Sequence, residues 1–295
     1  MILRSLESSP SQRASTTGNN RDRAGGSDRL QAIEGLRAYL ALWVVVGHVL
    51  WAAGFRKEDF SGVTLLIRTP EFAVDVFIIV SGFVIFLALD AKRDDYFRFV
   101  LRRFFRIFPL FILLFFVAIP ISTITMWNAT HASQYLTPAD MKFDQMLTWW
   151  DNLRWHVPLH LMMLHGAIPE KLLPGAPGAF LIPAWSVSLE WQFYLVAPLA
   201  FACATSPKWL LRLALLATCA AMLFVDYGDI DSVAYGAALP FHVEYFFIGG
   251  ASYFIYKRRA MFERPDVWFG LACVGAGSIY LTRSLITWSP IATLL

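Results

Sequence analysis

Charge is scarce in this 295-residue chain: Asp, Glu, Lys and Arg make up 16% of it, against about 25% in a soluble globular domain. That deficit excludes a water-facing surface over most of the sequence. The formal net charge of +3 is too small, and the basic residues too scattered between apolar runs, for a nucleic-acid interface. Cysteine is equally sparse. Cys203, Cys219 and Cys273 fall inside apolar stretches, have no metal-ligand spacing and give no compartment. Residues 1–28 lack any apolar run, which excludes a secretory signal there and predicts a disordered cytoplasmic tail. What abounds is apolar: 57% of the chain, 16% of it aromatic, with a mean hydropathy of +0.52. This is a membrane composition, and the apolar runs leave no room for a soluble catalytic domain.

About 20 apolar residues cross a bilayer. By that measure residues 29–295 form one membrane domain, an all-α polytopic bundle of about seven spans. The predicted spans are Ala32–Ala53, Phe72–Leu89, Ile107–Met126, Trp185–Ala204, Trp209–Val225, Tyr235–Tyr256 and Val267–Thr282. His156–Ile168 is apolar but too short to span, and reads as a re-entrant or interfacial piece; Pro169–Pro183, with two glycines and four prolines, reads as a loop. With the N-terminus inside, sixteen lysines and arginines fall in inner segments and six in outer ones, which fixes the orientation as N-terminus cytoplasmic.

Ionisable groups at bilayer depth are costly and mark function by default. On the first helix Arg37 and His48 are eleven residues apart, so they share a face, with His48 ~16 Å further out. Against this stands the plain reading in which His48 bonds a backbone carbonyl and Arg37 snorkels to the inner surface. Asp75 lies within a turn of the outer end of the second helix, where it either orients a histidine or simply complements the helix dipole; Ser81 and Gly82 read as packing residues. Arg102, Arg103 and Arg106 precede the third helix, as a phosphate-binding fork or as a positive loop that sets topology. Glu190 and Tyr194 are four apart and share a face, at a depth close to that of His48; the alternative is that Glu190 caps its own helix start near Ser186. His156, His160 and His165 lack a carboxylate or cysteine to complete a metal set, so no metal site is read. Asn128-Ala-Thr130 fits the glycosylation pattern, common by chance, and of His242 and Glu244 one is a candidate to line the same cavity.

The order of these motifs resembles the integral-membrane acyltransferase-3 family, which O-acylates carbohydrates and other envelope substrates. Gly35-Leu36-Arg37 through His48 is similar to the family's Arg-x10-His, and Val74-Asp75-Val76-Phe77 with Ser81-Gly82-Phe83 to its second-helix signature. Arg103-Phe-Phe-Arg106-Ile-Phe-Pro109 resembles its RxxR segment. Trp185-Ser186-Val-Ser-Leu-Glu190-Trp-Gln192-Phe-Tyr194 resembles its WSLxxExxFY helix. Members usually have more helices than are legible here, so the chain reads as a short or truncated member; Trp191 stands where many members have a second acid.

The resemblance implies that an acyl group, expected to be acetyl, moves from acyl-CoA to a hydroxyl of an envelope, exopolysaccharide or lipid-linked carbohydrate. Acyl-CoA enters as co-substrate, with no bound cofactor. Its phosphates would meet Arg103 and Arg106, with Arg37. His48 would act as general base or be acylated itself, with Asp75 or Glu190 as the supporting acid. Ser81, Trp185 and Tyr194 would line the pocket. The implied partners are acyl-CoA, the glycan acceptor and membrane lipid, and the implied location is a bacterial cytoplasmic membrane. The rival readings are a transporter or flippase-like carrier, whose pathway the same charges would line, and an inactive truncated member.

Overall fold

In the computed structural model, residues 33–50, 53–55, 59–92, 94–131, 143–227 and 236–258 are described. The predicted tail and the predicted span Val267–Thr282 lie outside them. Every regular element among the described residues is helical: α1 (Ile33–Leu50), α2 (Pro70–Lys92), α3 (Tyr96–His131), α4 (Phe143–Asp151), α5 (Leu153–Leu161), α6 (Trp185–Thr205), α7 (Trp209–Tyr227) and α8 (Val243–Lys257). In hydrocarbon the backbone must satisfy its own polar groups, and helices do so within one segment. Four stretches are long and apolar enough to cross a membrane, Ile33–Leu50, Pro70–Lys92, Tyr96–Trp127 and Ile182–Thr205. The protein is an integral membrane protein with an all-helical fold.

Two elements depart from the predicted spans. The third helix begins eleven residues before Ile107, so Arg98, Arg102, Arg103 and Arg106 lie on a helix rather than in a loop. Asp95 starts it, its carboxylate accepting the Arg98 backbone N–H at 2.7 Å, and Asp94 pairs with Arg102. At 36 residues α3 is ~54 Å long, well beyond the ~30 Å hydrocarbon core, so one end must project past it. Pro109 and Pro120 both sit within it. Beyond Pro120, hydroxyls of Ser122, Thr123 and Thr125 donate to carbonyls of the preceding turn. The predicted span Tyr235–Tyr256 is broken at its start: Pro240 lies in a 3-10 turn, Leu239–His242, and the helix that follows has only 15 residues. α7 covers its predicted span, running Trp209–Tyr227. Within His156–Ile168 no helix is long enough to span: α5 has nine residues and hands over to a 3-10 turn at His165–Ala167.

The chain divides into two compact units, Met1–Val80 and Ser81–Leu295, with the boundary inside α2. In the first, Gly47 of α1 brings its backbone against Pro70, where a Cβ would meet the ring at 3.1 Å, and Trp43 donates to the Leu66 carbonyl at 2.7 Å. Pro70 at the first helical position starts α2 at no hydrogen-bond cost.

The second unit packs α2, α6 and α8 through aromatic rings. Phe86 meets Phe193 and Phe201 of α6 and Tyr253 and Phe254 of α8, and Phe193 stacks on Phe246 at 3.9 Å between centroids. Lipid tails are as apolar as these side chains, so the stabilisation comes from close packing rather than from burial out of water. Glycine makes the closest approach possible: a Cβ at Gly82 would stand 2.8 Å from the Phe246 carbonyl oxygen. At the other end of α2, Asp90 accepts from the Tyr253 hydroxyl at 2.6 Å and from Lys257 at 2.9 Å. Outward, α3 exposes Leu110, Leu113, Phe116, Ile121 and Ile124, a face suited to lipid and not to water.

Candidate active site

Arg37, His48 and Asp75 belong to the first unit; Ser81, Arg103, Arg106, Trp185, Glu190 and Tyr194 belong to the second. On α1, three turns separate Arg37 from His48, so both lie on one face. The Arg37 guanidinium sits 4.6 Å from the centre of the Phe77 ring, a cation-π seat that holds the charge on the α2 face. His48 is half-buried, and its Nδ1 is 2.8 Å from the Val44 carbonyl oxygen. A carbonyl can only accept, so Nδ1 carries a hydrogen, and Nε2 is the ring nitrogen left for a partner outside this bond. This is the backbone bond that the plain reading of His48 expects, and it holds the ring in place, a task the functional reading gives to Asp75 or Glu190. Asp75 is half-buried one turn into α2.

In the second unit, Ser81, Arg103, Glu190 and Tyr194 come together. Glu190 is buried in the first third of α6. One of its carboxylate oxygens, Oε1, accepts from the Tyr194 hydroxyl at 2.5 Å and from the Ser81 hydroxyl at 3.2 Å. Glu190 is therefore not a helix cap, and Ser186 donates instead to the Pro183 carbonyl. The i, i+4 spacing predicts the Tyr194 bond; the Ser81 bond was not predicted. Ser81 is 1% exposed, and its hydroxyl puts a polar link between α2 and α6 where the sequence reading saw only packing. Gly82 does pack, as described above. Over the other side of the tyrosine, the Arg103 guanidinium lies 5.5 Å from the Tyr194 ring centre and 5.4 Å from that of Phe99. A fully buried aromatic ring thus connects the carboxylate of Glu190 to the cation of Arg103. Arg106, one turn on, is exposed. Trp185, at the start of α6, faces His242 with ring centres 5.9 Å apart.

The opposite face of α6 carries a second polar pair that the sequence reading missed. Ser188 is completely buried; it donates to the Met163 carbonyl at 2.8 Å and accepts the Gly166 N–H at 3.0 Å. Gln192 donates to the Ala237 carbonyl and accepts from the Leu239 N–H, both at 2.9 Å. These two side chains satisfy the backbone of two non-helical stretches, which would otherwise leave polar groups unpaired in an apolar setting. The signal was present in the sequence: Ser188/Gln192 and Glu190/Tyr194 are two i, i+4 pairs offset by two residues, so they mark opposite faces of one apolar helix.

Above this helix start sits an imidazole cluster. His156, His160 and His165 are completely buried. The His160 and His165 rings stack at 4.0 Å, with Phe115 on His160 at 4.5 Å and Phe111 beside His165 at 5.7 Å. His160 Nδ1 bonds the His156 carbonyl and His165 Nε2 the Ala184 carbonyl. Burial pushes all three pKa values down, to about 4 for His156, about 3 for His160 and about 4 for His165, so the rings are neutral and pack as aromatics. No group of three His, Cys, Asp or Glu among the described residues is placed to hold a metal ion.

A family model of an acyltransferase domain, that of the acyltransferase-3 family, matches residues 30–295. The acyltransferase MdmB of Streptomyces mycarofaciens is 33% identical over 173 residues, which is 58% of this chain and 39% of that protein. The matched part is thus about two fifths of the relative's length. No solved structure matches.

Proposed function

Because the chain belongs to the acyltransferase-3 family, we propose that it is an integral-membrane O-acyltransferase, moving an acetyl group from acetyl-CoA to a hydroxyl of an envelope carbohydrate or lipid-linked glycan. The site of action is a bacterial cytoplasmic membrane. The observation that carries the reading beyond the family is the tautomer of His48: with Nδ1–H held by Val44, Nε2 is the basic atom. It takes the proton of the acceptor hydroxyl as the oxygen attacks the thioester carbonyl. The carbon–sulfur bond then breaks, and the CoA sulfur leaves with the proton that imidazolium returns. Asp75 stabilises the imidazolium while it lasts, as a nearby carboxylate does in hydrolase triads.

Arg103 and Arg106 supply cations for the CoA phosphates. Glu190 in this reading is a positioning residue. It anchors the Tyr194 hydroxyl, and the Tyr194 ring seats Arg103. The experiment is thioester consumption by the purified protein in nanodiscs. Acetyl-CoA with a crude envelope glycan fraction is expected to release free CoA and leave ester-linked acetate on the glycan. A protein that binds glycan but releases no CoA from any short acyl-CoA overturns the proposal in favour of a carrier or an inactive member.

A further inference from the structure

Between α6, α7 and α8 runs an apolar groove of about 450 Å³ that no step of the proposed reaction uses. Small residues open it: Ala200 and Ala204 on α6, Gly250 and Ala251 on α8. Phe86 and Phe246 are among its other apolar walls. Apart from Thr218 and Cys219 the polar side chains along it are two arginines, Arg212 from the first turns of α7 and Arg258 just past the end of α8. The end of one helix and the start of the other bring both cations to one end of the groove. On the orientation fixed by the lysine and arginine count, that end faces the cytoplasm.

Neither arginine is spent within the described residues. Arg212 uses Nε alone, donating to the Ser206 carbonyl at 2.7 Å. The Arg258 side chain makes no hydrogen bond or ion pair among them. We propose that this groove binds one anionic phospholipid of the inner leaflet, with an acyl chain along the apolar walls and the phosphate between Arg212 and Arg258. Protein interiors leave few voids larger than a water molecule, and a groove of this size within a bilayer is filled by the solvent it meets, which is acyl chain. The two guanidinium groups then select the headgroup, because planar forks suit phosphate oxygens. Acyl-CoA shares the phosphate and the chain but fits less well. Its adenine and pantetheine need polar partners, and the lining offers only Thr218 and Cys219 beyond the arginines.

The test uses full-length protein in phosphatidylcholine nanodiscs carrying a minor fraction of phosphatidylglycerol with a photoreactive diazirine on its tail, with adducts mapped by peptide mass spectrometry. Adducts are expected on α7 and α8 lining residues. Unlabelled phosphatidylglycerol should compete and extra phosphatidylcholine should not. The double variant R212Q/R258Q, which changes only exposed side chains, should lower the yield about ten-fold or more. A251W, which fills the groove and leaves the cations in place, should lower it by a similar factor. Labelling that survives both variants, or that phosphatidylcholine displaces equally well, overturns the proposal. So does displacement by acyl-CoA at stoichiometric concentration, or quantitative cross-linking of Cys219 to a cysteine placed within residues 267–282, which would make the chain itself the occupant. None of these readings depends on acyl transfer, so they stand or fall separately from the proposed reaction.

Discussion

A histidine four residues from its carbonyl partner on one helix needs nothing else in the protein to choose its tautomer. That makes His48 testable in isolation. H48A is expected to reduce acyl transfer by roughly a hundred-fold or more, the range for removal of a general base, with unchanged membrane insertion; near-normal turnover by well-expressed H48A removes His48 from the mechanism. The Glu190 cluster predicts a different outcome. Y194F deletes the hydroxyl that Glu190 accepts from while keeping the ring beneath Arg103. Losing a partner of a buried carboxylate costs about 1–3 kcal/mol, so the variant should unfold at lower temperature while its KM for acyl-CoA changes little. Y194L, which also removes the ring, should raise that KM. Equal KM values for the two variants would show that the ring does not seat the arginine. Both clusters could be found in the sequence as spacings, eleven residues for Arg37 and His48 and four for Glu190 and Tyr194. The sequence holds no trace of Ser81 meeting Glu190, because contacts 109 residues apart are set by how α2 packs on α6.

At the level of the element, α6 is the organiser: one face holds the carboxylate, the other ties down two stretches of irregular chain. S188A removes the Ser188 hydroxyl's bonds to Met163 and Gly166, and Q192L the Gln192 amide's bonds to Ala237 and Leu239; a 3.4 Å contact between the two side chains is lost in either. Each variant should cost about 1–3 kcal/mol per orphaned backbone group. Hydrogen exchange should rise at residues 163–167 in S188A and at 237–240 in Q192L; a uniform rise in both would refute separate latches. The imidazole cluster sets a pH dependence. Its folded pKa values lie below the ordinary 6.5, so the unfolded chain takes up protons first as pH falls. Stability is then full above pH 6.5 and declines from there toward pH 4. Thermal melts in detergent should show that decline, and H160F should flatten it, since phenylalanine keeps the ring stack on Phe115 and carries no titrating nitrogen. A steeper decline in H160F would contradict the assignment.

The elements themselves were legible where the signal was periodicity plus length. The long helices α1, α2 and α6 follow from their apolar runs, and the shortness of the helix at 153–161 follows from the short run there. Composition misled at two places for physical reasons. Four arginines between Tyr96 and Arg106 look like a loop, yet arginine is a good helix former and Asp95 caps the turn. Pro240 was read through as part of a span, although it ends the backbone ladder there.

Across the whole molecule, the count of lysines and arginines makes a sidedness prediction. His48 lies near the C-terminal end of α1 and Arg106 on the N-terminal part of α3, ends that the lysine and arginine count predicts to be outer and inner. Acyl donor and acceptor should therefore arrive from opposite faces. In inside-out vesicles given acyl-CoA outside, glycan trapped in the lumen should be acylated and glycan outside should not; the reverse result would make the enzyme one-sided. Turnover across a membrane requires some part to move, and Gly82 limits which part. Its backbone lies so close to Phe246 that a single methyl group would collide with the main chain. A helix pressed backbone to backbone cannot slide past its neighbour by a residue, because the next side chain in line would have to pass through the same gap. At that contact α2 and α8 are locked against translation along the helix axis, and the Asp90 bonds to Tyr253 and Lys257 hold the same register further along.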